Sequence, residues 1–180
     1  MKGKQVHLAT SSAELKERAQ EAVRESGGAI ILVPVDFSDH SEAALLQASE
    51  FANLMQATLV VLHVVHDPGE MPGYYSKLIK KKRATRMPDV AAEAFQAFMT
   101  GMIKANPESD ALQKATQLMV VGLPVTRILE VVEHVKPIMV VMGSQGRTGL
   151  KHFVIGSKAA QVVQLCPVPV TIVKKRNAEQ

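Results

Sequence analysis

The 180-residue chain has no tryptophan, two tyrosines, five phenylalanines and a single cysteine. A lone Cys166 excludes an internal disulfide. No apolar run approaches the roughly 18 residues that a membrane-spanning helix needs. Residues 1–28 carry no charged-then-apolar leader, so the expectation is a cytoplasmic protein with no membrane partner. Charge of one sign is also in short supply. Lys and Arg number 21 against 17 Asp and Glu, and an excess of +4 is too common among proteins that bind no polyanion to argue for one. Of the six histidines, His7, His40, His134 and His152 lack ligand spacing. His63 and His66, three apart, would point to opposite faces of a strand, so no structural metal site is expected.

What the chain does have is apolar residues, 47% of the total, in short runs separated by helical patterns. A domain near this length buries roughly 70% of the surface its unfolded chain exposes, enough for a core without disulfides or metal. Ser11-Ser12-Ala13-Glu14 has the form of a capping box. Leu15, Ala19, Ala22 and Val23 share one side of the helix it would open, and Gly27-Gly28 would end it. Ala29 to Val35 is a continuous apolar run too short for a typical helix, which predicts a strand buried on both faces. Ala44, Leu45, Ala48, Phe51, Ala52 and Met55 then recur at helical spacing, and Thr58 to Val65 is a second β-branched run. Strand, helix and strand in that order form a βαβ unit.

From Asp67 to about Ala115 the rhythm changes. Pro68, Gly69, Pro72 and Gly73 lead into a basic run, then a helix from near Asp89 to Asn106-Pro107 with Val90, Ala94, Phe98 and Met102 as its packing face. A crossover needs only a dozen or so residues, so the surplus predicts an insertion. Alternation then resumes. Thr116–Val121 is a predicted strand, Val125–His134 a helix, Pro137–Met142 a strand, Ser157–Cys166 a helix and Val168–Val173 a closing strand. The expected fold is α/β, a doubly wound, Rossmann-like, five-stranded parallel sheet sandwiched by helices. It divides into an N-terminal helical arm (1–28), a main domain (29–174, with an insertion at about 67–115) and a polar tail (175–180).

In such a sheet ligands bind outside the carboxyl ends of the strands, where the strand order reverses. Pro34-Val35-Asp36 ends the first strand with a carboxylate suited to a ribose hydroxyl or an exocyclic amine; the plainer alternative is a turn or capping Asp. Met142-Gly143-Ser144-Gln145-Gly146 is followed, nine residues on, by Gly156-Ser157 opening a helix. Gly143 and Gly146 can adopt backbone angles closed to other residues and admit an oxyanion to main-chain amides. The helix start adds free amides and a positive dipole end, which favour phosphate. Arg147, Lys151 and Lys158 contribute positive charge. Neither the P-loop spacing nor the dinucleotide glycine fingerprint is present.

With these residues in place the chain resembles the universal stress protein family, UspA-like, and within it the ATP-binding branch. The resemblance rests on Gly143-x-x-Gly146, nine residues, Gly156-Ser157, on Val33-Pro34-Val35-Asp36, Leu62-His63-Val64, Gly122-Leu123-Pro124 and Cys166-Pro167-Val168-Pro169-Val170. It spans about Ala29 to Lys174 and implies an adenine nucleotide alpha hydrolase-like fold. It implies that Asp36 contacts the adenosine, that the Val35 and Val64 backbones flank the adenine, and that Gly143, Gly146, Gly156 and Ser157 hold the phosphates of ATP, with Mg²⁺ arriving alongside. It further implies a homodimer joined through the last strand, at Val168, Val170 and Ile172. The arm, the basic insertion and Lys136-Pro137 depart from the family pattern.

The remaining features have plainer readings. Cys166 is expected to be a buried, inert thiol. Lys77, Lys80, Lys81, Lys82, Arg83 and Arg86, next to Tyr74 and Tyr75, are read first as a solvated loop, then as a lid over a triphosphate, and last as a nucleic-acid contact. The function expected is an ATP-binding, nucleotide-responsive regulatory or stress-survival module with an unnamed protein partner, in which ATP locks the loop from Gly143 to Gly156 against the first strand. Two alternatives stay open. One is a slow ATP-hydrolysing, phosphoryl- or adenylyl-transferring enzyme on the same fold; the other is an interaction module with no bound nucleotide.

Overall fold

The computed structural model describes residues 6–66, 87–146 and 155–175. The basic run from Lys77 to Arg86, Tyr74, Tyr75, Arg147 and Lys151 lie outside the described residues. Each apolar run read as a strand takes its place in a single parallel sheet, made of β1 (His7–Ala9), β2 (Ile30–Val35), β3 (Thr58–Val65), β4 (Thr116–Val121), β5 (Met139–Gly143) and β6 (Val170–Val173). Their order in space is β1-β4-β3-β2-β5-β6. The sheet therefore has six strands rather than five. The added one is β1, which lies parallel to β4 with His7 opposite Leu118 and Ala9 opposite Val120. A three-residue strand with one neighbour is too short to display the alternation by which strands are recognised.

Alternation along the strands divides the core in two. Ile31, Val33, Val35, Leu59, Val61, Val65, Met119 and Val141 lie on one face. They pack with α2 (Asp39–Met55), α3 (Met87–Ala105) and the short α4 (Asp110–Lys114). Ile30, Leu32, Val60, Leu62, Leu118, Val120 and Val140 lie on the other, against α1 (Ser12–Ser26), α5 (Pro124–Val135) and α6 (Ser157–Leu165). Helices thus cover both faces, as an all-parallel sheet requires. No helix among the described residues is long and apolar enough to cross a membrane.

The arm is part of this core. Leu15, Ala19 and Ala22 of α1 are buried, while Val23, expected beside them, is 39% exposed. Ser11 accepts the Glu14 amide at 3.2 Å. The Glu14 carboxylate reaches one residue further back than a capping box would place it, accepting from the Thr10 amide at 2.7 Å. Gly27, at φ 63°, ends the helix. In α3 the buried face holds Val90, Ala91, Ala94, Phe95, Met99 and Met102, with Phe98 half-buried at its margin, so the packing stripe is broader than the four residues expected. On α2, Met55 turns outward at 49% exposure. Other limits shift by one or two residues: β5 begins at Met139, and α6 stops at Leu165. Cys166 is half-buried rather than buried, and Val168 precedes β6 instead of opening it.

Candidate functional site

From β2 the chain builds outward through β3 and β4 on one side, then returns to place β5 and β6 on the other. The order reverses between β2 and β5, which pair at Ile31–Met139 and Leu32–Val140. The crevice at their carboxyl ends is where an open parallel sheet receives a ligand. Asp36 leaves β2 at this point and Gly143 ends β5.

The two oxygens of Asp36 have different surroundings. Its Oδ1 accepts from the Ser38 amide at 3.2 Å and from the Ser38 hydroxyl at 2.6 Å, the pattern of a turn-forming Asp. Ser38 in turn caps α2 by accepting the Ser41 amide at 3.3 Å. The other oxygen, Oδ2, lies against Gly146: a Cβ on that glycine would stand 2.8 Å from it. A Cβ on Gly143 would stand 2.8 Å from the carbonyl carbon and oxygen of His40.

These contacts correct the reason for the two glycines. Neither has a positive φ; among the described glycines only Gly27 and Gly122 do. What Gly143 and Gly146 provide is room. Without side chains they let the end of β5 come up against the Asp36 turn and the first turn of α2.

The start of α6 joins the same place. The Gly156 amide donates to the Ser144 carbonyl at 2.7 Å, and a Cβ on Gly156 would be 3.9 Å from the Gly146 nitrogen. Helices α1, α2 and α4 begin with serine side-chain caps, but α6 has Gly156 as its cap and no side-chain hydrogen bond. Its first-turn amides have no intrahelical partner, and the helix dipole puts partial positive charge beside them. Ser157 and Lys158 in this turn are exposed, as is Gly146. One carboxylate, the main-chain amides that open α6, and the exposed Ser157 and Lys158 are thus carried by segments that meet at the switch point. That donor set suits a ligand with both hydroxyl and anionic groups.

The other candidates are distributed around this centre. Pro34 and Val35 are buried at the end of β2. Val64 is half-buried and packs, like the 8% exposed Met142, with the second core. Val170 and Ile172 are half-buried on β6, an edge of the sheet.

Sequence reasoning missed the residues that brace the loop. Ser144 is 2% exposed; its amide donates to the Val173 carbonyl at 2.8 Å, and its hydroxyl lies 3.4 Å from His40 Nδ1. The Lys175 ammonium bonds to Asp39 beside it and holds that carboxyl below its ordinary range. No local pattern marks Ser144 or His40, because their partners lie on distant segments.

The model of the universal stress protein family matches residues 29–174. A universal stress protein of Methanocaldococcus jannaschii is 28% identical over 156 residues, covering 82% of this chain and 96% of its own. The solved structure of a universal stress protein from Lactobacillus plantarum superposes with a TM-score of 0.64 at 26% identity, over 81% of this chain and 97% of that one. A second structure, a universal stress protein in complex with cAMP, gives 0.57 at 21% identity, over 82% and 98%, and shares the fold.

Proposed function

The chain belongs to the universal stress protein family, and we propose that it is an ATP-binding member that serves as a nucleotide-responsive regulatory or stress-survival module. The observation that carries this reading is the approach of Gly146 to Asp36 at the switch point, so close that a Cβ would stand 2.8 Å from the carboxylate. Glycines drawn against an acidic turn, with the glycine-capped start of α6 next to them, offer main-chain amides to phosphates and a hydrogen-bond acceptor to a ribose or adenine. Asp36 and the backbones of Val35 and Val64 would take the adenosine. Gly143, Gly146, Gly156, Ser157 and Lys158 would take the phosphates, whose oxygens would bring Mg²⁺ with them. A related fold in complex with cAMP supports an adenine nucleotide as the class of ligand.

The test is to unfold freshly purified protein and identify what it releases. ATP or ADP near one per chain is expected, with added Mg-ATP turned over more slowly than about once per second, the low end of enzyme rates. An empty protein that also ignores added Mg-ATP would overturn the reading. Faster turnover would move the protein among the enzymes.

The same reading includes a homodimer through β6. The carbonyls of Pro169 and Val173 accept from the Val140 and Ser144 amides at 2.9 and 2.8 Å. Backbone direction alternates along a strand, so Val170 and Ile172 carry their amides and carbonyls on the outer edge. Such an edge is a template for a second copy. Ile172→Pro removes one outward donor and leaves the bonds to β5 in place. Light scattering is expected to give a dimer mass for the parent and a monomer mass for the variant; a monomeric parent or a dimeric variant would remove β6 as the interface.

A further inference from the structure

Asp36 sits in a turn that uses an unusual residue. Phe37, not a glycine, has φ 63° in the left-handed region, a conformation that a bulky L-residue holds only when its surroundings over-determine it. The surroundings are aromatic. The Phe37 ring stacks on His63 with centroids 4.2 Å apart and planes inclined by 26°, and Phe98 and Phe95 of α3 stand 5.2 and 5.9 Å away. His63 is 5% exposed. Its Nδ1 lies 2.9 Å from the Val35 carbonyl oxygen, which only accepts, so this nitrogen carries the proton and donates.

One imidazole therefore holds both neighbours of Asp36, Val35 through a hydrogen bond and Phe37 through its ring. We propose that His63 and Phe37 are positioning residues for Asp36: they bracket its backbone and so fix where the carboxylate meets Gly146 and a bound nucleotide. This rests on the nucleotide reading above and adds to it the device that sets the acidic side of the site. His63 lies within β3, opposite Val35 in the register, so the bracket is anchored in the sheet rather than in the loop. Binding residues perform best when neighbouring packing locks them.

The experiment measures Mg-ATP affinity at a temperature where circular dichroism shows every variant folded. His63→Phe keeps an aromatic partner and loses the donor. Phe37→Gly relieves the backbone and loses the ring. Each is expected to weaken binding about tenfold, whereas Phe37→Tyr, which keeps the stack, binds as the parent does. Leu15→Ala empties a site in the core on the other face of the sheet, away from both arms of the bracket, and is expected to lower the melting temperature but not the affinity.

Unchanged affinity in His63→Phe and Phe37→Gly would overturn the proposal, and so would an equal loss in Leu15→Ala. Should the parent itself ignore Mg-ATP, the nucleotide reading fails separately. Hydrogen exchange at the Ser38 amide, which donates to Asp36 Oδ1, then decides. Faster exchange there in both variants, with core-strand amides unchanged, supports the bracket, and exchange equal to the parent's overturns it.

Discussion

A Gly146→Leu protein is expected to emerge from purification without nucleotide and to bind added Mg-ATP at least about a hundredfold more weakly than the parent, a loss of about 2.7 kcal/mol. The cause is local. The first atom of any side chain at this position would fall 2.8 Å from Asp36 Oδ2, well inside contact distance, and the rest of a leucine would crowd the carboxylate that is proposed to meet the nucleotide. Because the obstructed atom is the end of a side chain, the carboxylate can swing aside at small cost to folding. Asp36 would then leave its place in the turn with Ser38. Gly146 is exposed, so the unfolding midpoint should stay near the parent's. Gly143 makes the informative contrast, since there the obstruction is the His40 backbone, which cannot rotate out of the way. A substitution at Gly143 should cost stability as well as binding. Equal nucleotide content in the Gly146→Leu and parent proteins, both folded, would mean that the ligand lies elsewhere or does not exist.

The second large effect is on stability. Phe95→Ala should cost about 4 kcal/mol, the usual range for emptying a phenylalanine site in a core. For a chain of this size that corresponds to a fall of about 10 °C in melting temperature. Phe95 is fully buried and heads the largest enclosed side chains among the described residues. Its ring centroid stands 5.9 Å from those of both Phe37 and His63, so the cavity would open directly beneath the bracket around Asp36. Urea unfolding of the folded variant is the direct measurement. A loss below about 1 kcal/mol, the scale of a surface substitution, would contradict the placement of α3 against the sheet.

The sequence was most legible where one physical signal dominates. Continuous burial makes β2 and β3 apolar along their length, and the helical period of α2 places Ala44, Leu45, Ala48 and Ala52 in the core as expected. The pairing of Asp36 with the Gly143–Gly146 segment was also legible, because both stand at ends of strands whose order of appearance implies the switch point. β1 escaped because its three residues find their one partner, β4, far along the chain. Phe95 escaped because Phe98 satisfies the same period one turn away, and only the shape of the sheet chooses between them. The role of the glycines was misread for a related reason. Their value lies in how near Asp36 and His40 come, a distance set by α2 and β2 together, and not in the dihedral freedom that a sequence advertises. His63 stood in the sequence only as part of the Leu62-His63-Val64 motif and as one of two unsuited metal ligands, since nothing along β3 announces a carbonyl on the neighbouring strand.

The pairing of Ile31 with Met139 has a consequence for how the protein is made. The two walls of the crevice are among the first and the last parts of the sheet to be synthesised. A nascent chain that has released β2, β3 and β4 can assemble them side by side, yet the edge of β2 that pairs with β5 then keeps its backbone N–H and C=O groups unpaired until β5 leaves the ribosome. During that interval the half-sheet is open to pairing with other chains. Under the proposed reading, a nucleotide that needs both walls would offer no help in that interval, and its stabilising effect would begin only once translation had passed β5 and α6.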